Sequence, residues 1–403
     1  MPATSKPPLP PAGGSGTGSA RPPWEAAPPL AGGPPWEAVR PLPGGPPWEV
    51  APPGPGGPPR QTAPPGTGDP PRVSGGHPGH GQRPVTGPGA GGAGGARDHP
   101  AGAGGLIRRQ GSFTGHITRD GSSGFPAEQG RYQLYASLAC PWSQRALIVC
   151  RLLGLDRVIG LTLTDPVTDS RGWHLGEQSA RDPMTGARYL SDLYRATDPR
   201  CQGPFLLPLI WDSRSQTIVS DDVADINVML ETEFRQFHRP GSPDLYSQAR
   251  RREIESLAAL IYHTVNVGVY RAGRATTQPA YDQAVDALFT TLDALDDRLS
   301  RRRYLLGDQL TEADIRLYPT LVRFDSVYYQ LFNCNLRRLP DYRNLWAYTR
   351  DLHSQPGFGE TTDMNQIKKH YYQSPEWGNR SKIVPAGPLI DWNEPHGRTR
   401  MTA

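Results

Sequence analysis

The chain has 403 residues and a formal net charge of only +4, and its 46 glycines and 45 prolines far exceed ordinary usage. No dense Lys/Arg tract stands out, which argues against a nucleic-acid partner, and no apolar run reaches the ~18 residues expected of a membrane span. The opening Met1-Pro2-Ala3-Thr4 does not read as a secretory signal, and four cysteines are too few for a disulfide framework, so a reducing cytoplasm is the expected compartment.

The Gly/Pro excess lies mostly in residues 1–105, which lack Phe, Tyr, Ile and Cys. The aromatics there are Trp24, Trp36 and Trp48, in a twelve-residue repeat of Pro-Pro-Trp-Glu. Such a stretch buries too little apolar surface to offset its ordering entropy, so a disordered tail with extended polyproline character is expected. The repeat reads either as a docking motif or, more simply, as low-complexity sequence.

From Leu106 onward the apolar pattern is regular. Arg131 to Ser137 alternates and predicts a strand; Trp142 to Leu155 carries a helical spacing through Leu147, Ile148 and Leu152; Arg157 to Leu163 predicts a second strand. A long polar connection is expected from Thr164 to Gly203. Phe205 to Asp212 predicts a strand with Pro208 near its middle, Thr217 to Ser220 another, and Asp221 or Asp222 opens a helix through Ile226, Met229 and Leu230. Strand, helix, strand, then strand, strand, helix is the order of a thioredoxin-like domain, placed at 106–241. Beyond it the pattern is helical: Ile254, Leu257, Leu260 and Ile261 share a face, as do Val285, Leu288, Leu292, Leu295 and Leu299, and Thr311-Glu312-Ala313-Asp314 reads as a capping box in its Asp form. A second, all-helical domain with a terminal tail is expected over 242–403.

Cys140 stands where a strand ends and a helix begins, in Ala139-Cys140-Pro141-Trp142-Ser143. Proline suits the first helical turn, and free amides and the helix dipole facing the sulfur favour a thiolate. Ser143 occupies the place of a resolving cysteine, so a mixed disulfide at Cys140 needs an external thiol. Pro208 reads either as an edge-strand proline or as a cis turn opposite the cysteine. The remaining cysteines and the histidines show no metal spacing. Among the tyrosines, residue type alone does not separate packing from catalysis.

At these residues the chain resembles the glutathionyl-hydroquinone reductases, the Xi class of glutathione transferases, from about Gly111 to Arg398. The resemblance is carried by Arg131 to Trp142, Gly172-Trp173, Asn266 to Gly273, Leu310 to Leu317, Val322 to Tyr328, His370-Tyr371-Tyr372 and Glu394 to Arg398. It implies a thioredoxin-like domain followed by an all-helical glutathione-transferase C-terminal domain, no resident cofactor, glutathione as co-substrate and a homodimer. It implies Cys140 as nucleophile, Tyr270 as proton donor to a leaving hydroquinone, and Tyr328 and Tyr371 as its helpers. Trp173 and the stretch Phe205, Leu206, Leu207 and Pro208 would line the thiol site, with Leu207 offering its backbone.

The sequence departs from the family where a Glu-Ser pair holds the γ-glutamyl carboxylate: Asp222 and Val223 stand there. The preceding 204–206 stretch also lacks its usual polar character. The chemistry is expected to be retained and the grip on glutathione altered, with mycothiol as an alternative thiol. Two other readings compete: an omega-like thioltransferase or dehydroascorbate reductase, which needs no tyrosine cluster, and a non-catalytic binding protein on the same scaffold.

Overall fold

The computed structural model describes residues 112–176 and 181–401, so the expected tail over 1–105 lies outside the described residues. A four-stranded mixed sheet runs in the order β2-β1-β3-β4, with β1 Tyr132–Ala136, β2 Gly160–Leu163, β3 Leu209–Asp212 and β4 Thr217–Ser220. β1 pairs parallel with β2 and antiparallel with β3. All five β1 residues are buried because the strand is central, which is why the expected alternation carries no exposed face.

Helix α1, Pro141–Leu153, makes the crossover from β1 to β2 and ends at Gly154, whose φ of +73° is the left-handed cap that glycine adopts without strain. The apolar spacing predicts this helix on to Leu155; Leu155–Arg157 is instead a separate 3-10 turn, and β2 begins only at Gly160. The long connection holds a helix that the sequence pattern does not predict, α2, Leu190–Thr197. Its boundary is made locally: the Asp192 carboxylate accepts from the Tyr189 and Arg188 amides at 3.0 Å each. Pro208 does not interrupt a strand; it precedes β3, so no ladder bond is lost. Helix α3, Val223–Thr232, packs against α1.

The remaining elements are helical: α4 Arg251–Ile261, α5 Gly268–Gly273, α6 Gln278–Leu299, α7 Glu312–Arg323, α8 Tyr329–Leu331, α9 Arg343–His353 and α10 Met364–Gln373. The expected capping box opens α7: Asp314 accepts from both the Thr311 hydroxyl and amide at 2.9 Å. Two π-helical turns interrupt the helix runs, Tyr262–Asn266 between α4 and α5 and Phe324–Tyr328 between α7 and α8. Such turns widen the helix by one residue and re-aim the side chains of the next turn.

The halves meet where α1 packs on α7. Across the same junction Glu312 accepts from Arg316 at 2.8 Å and from Asn227 of α3 at 3.2 Å. Glu231 is buried beside them, and its carboxyl oxygens have no hydrogen-bond partner. Burial, reinforced by the Glu312 charge, raises Glu231 well above the usual carboxyl range. The segment after α10 returns over the helices: Trp392 stacks on His353 at 5.2 Å, Arg350 pairs with Glu394 at 2.8 Å, and Arg398 donates to the Leu299 carbonyl at 3.0 Å. No helix among the described residues is long and apolar enough to cross a membrane.

Candidate active site

Cys140 is the N-cap residue of α1, with extended backbone angles and Pro141 at the first helical position. A cysteine here leaves the first-turn amides without a side-chain acceptor, so they and the helix dipole act on the sulfur. The thiol is buried, and its Sγ lies 3.9 Å from the Leu207 carbonyl oxygen, across from the cis Leu207–Pro208 bond. Because β1 and β3 are antiparallel with Tyr135 opposite Leu209, Cys140 after β1 and Leu207-Pro208 before β3 meet at the same end of the sheet, as the cis-turn reading of Pro208 expects.

The π-helical turns supply the second half of the site. Tyr270 lies just beyond the first turn and Tyr328 closes the second, while Tyr371 comes from α10. Their hydroxyls form a closed triangle: 2.6 Å between Tyr270 and Tyr371, 3.1 Å between Tyr328 and Tyr371, and 3.4 Å between Tyr270 and Tyr328. Phe332 packs beneath, 5.4 Å from both Tyr270 and Tyr328. It approaches so closely that a Cβ on Gly273 would sit 2.4 Å from its ring, which requires glycine at the end of α5. Burial raises Tyr270 well above the ordinary phenol range, with the Tyr328 charge adding to it; burial likewise raises Tyr371 well above and Tyr328 upward. The Cys140 charge contributes to raising both Tyr270 and Tyr328, which joins the triangle electrostatically to the thiol. The triangle is therefore neutral at physiological pH, a set of hydroxyl donors electrostatically coupled to the Cys140 thiol.

Trp173, on the long connection, stacks on His370 with ring centres 4.8 Å apart. Burial pushes His370 down to about 3, so the ring is neutral, and its Nδ1 donates to the Pro166 carbonyl at 2.9 Å. Trp377 closes the other side, 4.8 Å from the Tyr371 ring and 5.9 Å from that of Tyr270. Its neighbour Glu376 accepts from Thr168 of the long connection at 2.6 Å, which ties this lid to the loop that carries Trp173.

The expected thiol-binding stretch is arranged differently from a polar grip. Phe205 packs edge-on to Tyr194 at 5.2 Å; the Leu206 amide donates to the Tyr194 hydroxyl at 2.9 Å, with the Leu206 carbonyl 3.1 Å away as a competing acceptor for its one proton. The same hydroxyl donates to Asp221 at 2.7 Å. Asp222 caps α3, its carboxylate accepting from the Ala224 amide at 2.8 Å and the Asp225 amide at 3.3 Å, while Val223 is buried. A carboxylate engaged by two amides of its own helix has less capacity for a ligand ammonium, and valine brings no hydroxyl.

Sequence reasoning misses three contributors: His370 as the partner of Trp173, Trp377 as a lid, and Arg323. The first two leave no spacing signal, because stacking partners far apart in sequence have none to leave. Arg323 does leave one. It ends an apolar helix with Pro319 and Val327 four residues to either side, so it has no acidic neighbour at helical spacing.

Comparison with known proteins identifies the family and the fold. The family model for the glutathione S-transferase C-terminal domain matches residues 278–351. The chain is 41% identical over 305 residues to glutathionyl-hydroquinone reductase YqjG of Escherichia coli, covering 73% of this chain and 93% of the relative. It is 40% identical over 294 residues to glutathionyl-hydroquinone reductase PcpF of Sphingobium chlorophenolicum, covering 72% and 92%. Among solved structures, a glutathione transferase from Gordonia bronchialis aligns with a TM-score of 0.69 at 45% identity, covering 71% of this chain and 90% of that one. The glutathione-bound structure of YqjG also aligns with a TM-score of 0.69, covering 71% and 96%.

Proposed function

This chain belongs to the glutathionyl-hydroquinone reductases, the Xi class of glutathione transferases, and on that premise we propose that Cys140 is the nucleophile that reduces thiol–hydroquinone conjugates. The protein is an enzyme of the thiol-dependent reductase type on a glutathione-transferase scaffold. The observation that carries the residue assignment is the buried Tyr270–Tyr328–Tyr371 triangle, electrostatically coupled to a cysteine at a helix N-terminus.

The reaction runs in two steps. The Cys140 thiolate attacks the sulfur of the conjugate; the S–S bond forms as the aryl C–S bond breaks, and the bonding pair leaves with the ring. The ring carbon takes the Tyr270 proton, and the tyrosinate is stabilised by the Tyr371 hydroxyl at 2.6 Å until it is reprotonated. A second thiol then attacks the mixed disulfide, releasing a thiol disulfide and regenerating the Cys140 thiolate. The net change is two-electron reduction of the aryl–sulfur bond by the second thiol. Trp377, against Tyr270 and Tyr371, gives an apolar wall suited to an aromatic ring, while Trp173, stacked on His370, would line the thiol side. An omega-like thioltransferase would need no buried hydroxyl triangle, which favours the conjugate reductase reading.

The thiol belongs to the same proposal. Glutathione is the family's co-substrate, and Asp222 and Val223 weaken a γ-glutamyl grip, which favours mycothiol as the alternative. Phe205, Leu206, Leu207 and Pro208 would then form the shelf along which the thiol lies. The four cysteines are free, in keeping with a cytoplasmic enzyme, and a homodimer is the assembly we assign. We also propose a thioredoxin-like part at 106–241 and a helical part at 242–403; in support, all four strands among the described residues precede that division.

The test is mass spectrometry of the protein after separate exposure to glutathione and mycothiol conjugates, paired with Cys140→Ser. A thiol adduct on Cys140 and complete loss of turnover in the folded variant are expected. Turnover retained by Cys140→Ser refutes the assignment.

A further inference from the structure

Arg323, the last residue of α7, is fully buried, yet no carboxylate lies within ion-pair distance of it among the described residues. Its guanidinium is spread over the turn that leads into the nucleophile. Nη2 donates to the Leu138 carbonyl at 3.2 Å and to the Ala139 carbonyl at 3.3 Å, the two residues immediately before Cys140. Nη1 donates to the Pro319 carbonyl at 2.9 Å and to the Gln144 side-chain oxygen, while Nε has no hydrogen-bond partner. Gln144 sits in the first turn of α1, and its amide nitrogen reaches Thr362 at 2.8 Å. One cation therefore holds the last turn of the approach and the first turn of the helix, on both sides of Cys140.

A buried positive charge without a carboxylate is costly, and structures usually supply a counter-charge. Here the groups that accept from it are backbone carbonyls and the Gln144 side-chain oxygen, and its charge acts on the neutral phenols. The titratable and charged groups facing this region are Tyr270 of α5, Tyr328 of the second π turn, His370 and Tyr371 of α10, Tyr318 of α7 and Arg145 of α1. Arg145 is directed elsewhere, to the Asn266 side-chain oxygen at 2.7 Å and over the Trp142 ring at 4.4 Å. The reach of the Arg323 charge is visible in its neighbours: it pulls Tyr328 and Tyr371 down against the effect of burial and adds to the lowering of His370.

We propose that Arg323 is the positioning residue of this active site: its fork fixes the Leu138–Cys140 turn, and its unpaired charge is the counter-ion of the Cys140 thiolate. The nucleophile of this reductase then depends on a cation supplied by the helical half as well as on its own helix N-terminus. The charge serves both steps, because the thiolate is the attacking group in the first and the leaving group in the second. Arginine suits the place better than lysine, since two adjacent carbonyls and a side-chain amide require a planar fork with several donors.

The inference rests on Cys140 being the reactive thiol, and the experiment separates the two. The rate of iodoacetamide alkylation is measured against pH in a Cys201→Ser background; Cys150 and Cys334 stay silent because burial pushes both thiols up to about 12. In Arg323→Met, the alkylation midpoint should move to higher pH by about one unit or more. In Arg323→Lys, the midpoint should stay near that of the native protein, while kcat/KM for the conjugate falls about tenfold or more because the fork is lost. A Met midpoint equal to native in a folded protein overturns the counter-ion role. If the Met variant does not fold, the Lys variant decides: native kcat/KM in Arg323→Lys overturns the positioning role. Alkylation that does not occur at Cys140 in the native chain instead overturns the nucleophile assignment itself.

Discussion

Replacing Tyr270 by Phe removes one oxygen from the centre of the site and leaves the ring where it is. The contacts of that ring with Tyr328 at 5.8 Å and Phe332 at 5.4 Å do not involve the hydroxyl and should persist. Two hydrogen bonds vanish, the 2.6 Å bond to Tyr371 and the long 3.4 Å one to Tyr328, while the 3.1 Å bond between Tyr328 and Tyr371 remains. Neither surviving hydroxyl is orphaned, so the stability cost should be that of one neutral hydrogen bond, about 0.5–1.5 kcal/mol. Loss of a general acid costs about 10²–10⁴ in rate, equivalent to about 2.7–5.5 kcal/mol. The two numbers differ enough to separate a catalytic hydroxyl from a structural one. Steady-state kinetics with a thiol–hydroquinone conjugate should show the loss in kcat/KM, with the melting temperature only slightly lowered. Exchange of Cys140 with a simple disulfide should stay close to native, because no carbanion is protonated in that reaction. Near-native conjugate turnover in Tyr270→Phe would refute the proton-donor role, and equal loss in both reactions would point to disturbed packing instead.

Other outcomes rest on the same geometry. Glu231 has its folded pKa raised, so the stability it contributes is fully present below the unfolded value near 4.3 and is lost as pH rises through the folded value. Glu231→Gln, neutral at every pH, should flatten the alkaline decline of the melting temperature; an unchanged profile would show that Glu231 does not titrate in that range. Asp222→Glu with Val223→Ser should lower the KM for glutathione several-fold, in keeping with about one hydrogen bond to a charged group, while the maximal rate changes less. The same pair should lower the melting temperature, since the Asp222 cap on the Ala224 and Asp225 amides is worth about 1 kcal/mol; an unaltered KM would make this an ordinary glutathione-using member. A chain beginning near Leu106 should match the full-length protein in turnover and melting temperature, and a large loss in either would give residues 1–105 a role in the enzyme.

Local chemistry writes the helix starts into the sequence. The Thr311–Asp314 box and Asp222 before α3 satisfy amides within a few residues, and the proline after Cys140 removes an amide from its own first turn, so they are legible without a fold. The place of Cys140 at the start of α1 is legible for the same reason. Helix α2 is not: it is short, lies in a polar stretch, and is defined by an Asp192 cap and by packing beside β4. Pro208 has two local readings, and only the placement of Leu207 opposite Cys140 distinguishes them. The tyrosines are named through the family resemblance, whereas their hydroxyl triangle depends on two π turns and α10 meeting in space. Arg323 shows the division most clearly. The sequence marks a cation without an acidic helical partner; besides the Pro319 carbonyl of its own helix, it bonds carbonyls 184 and 185 residues away, and backbone carbonyls carry no residue identity to read. Interactions closed within one turn are encoded by neighbouring side chains; those closed by backbone groups across the core exist only once the core has formed.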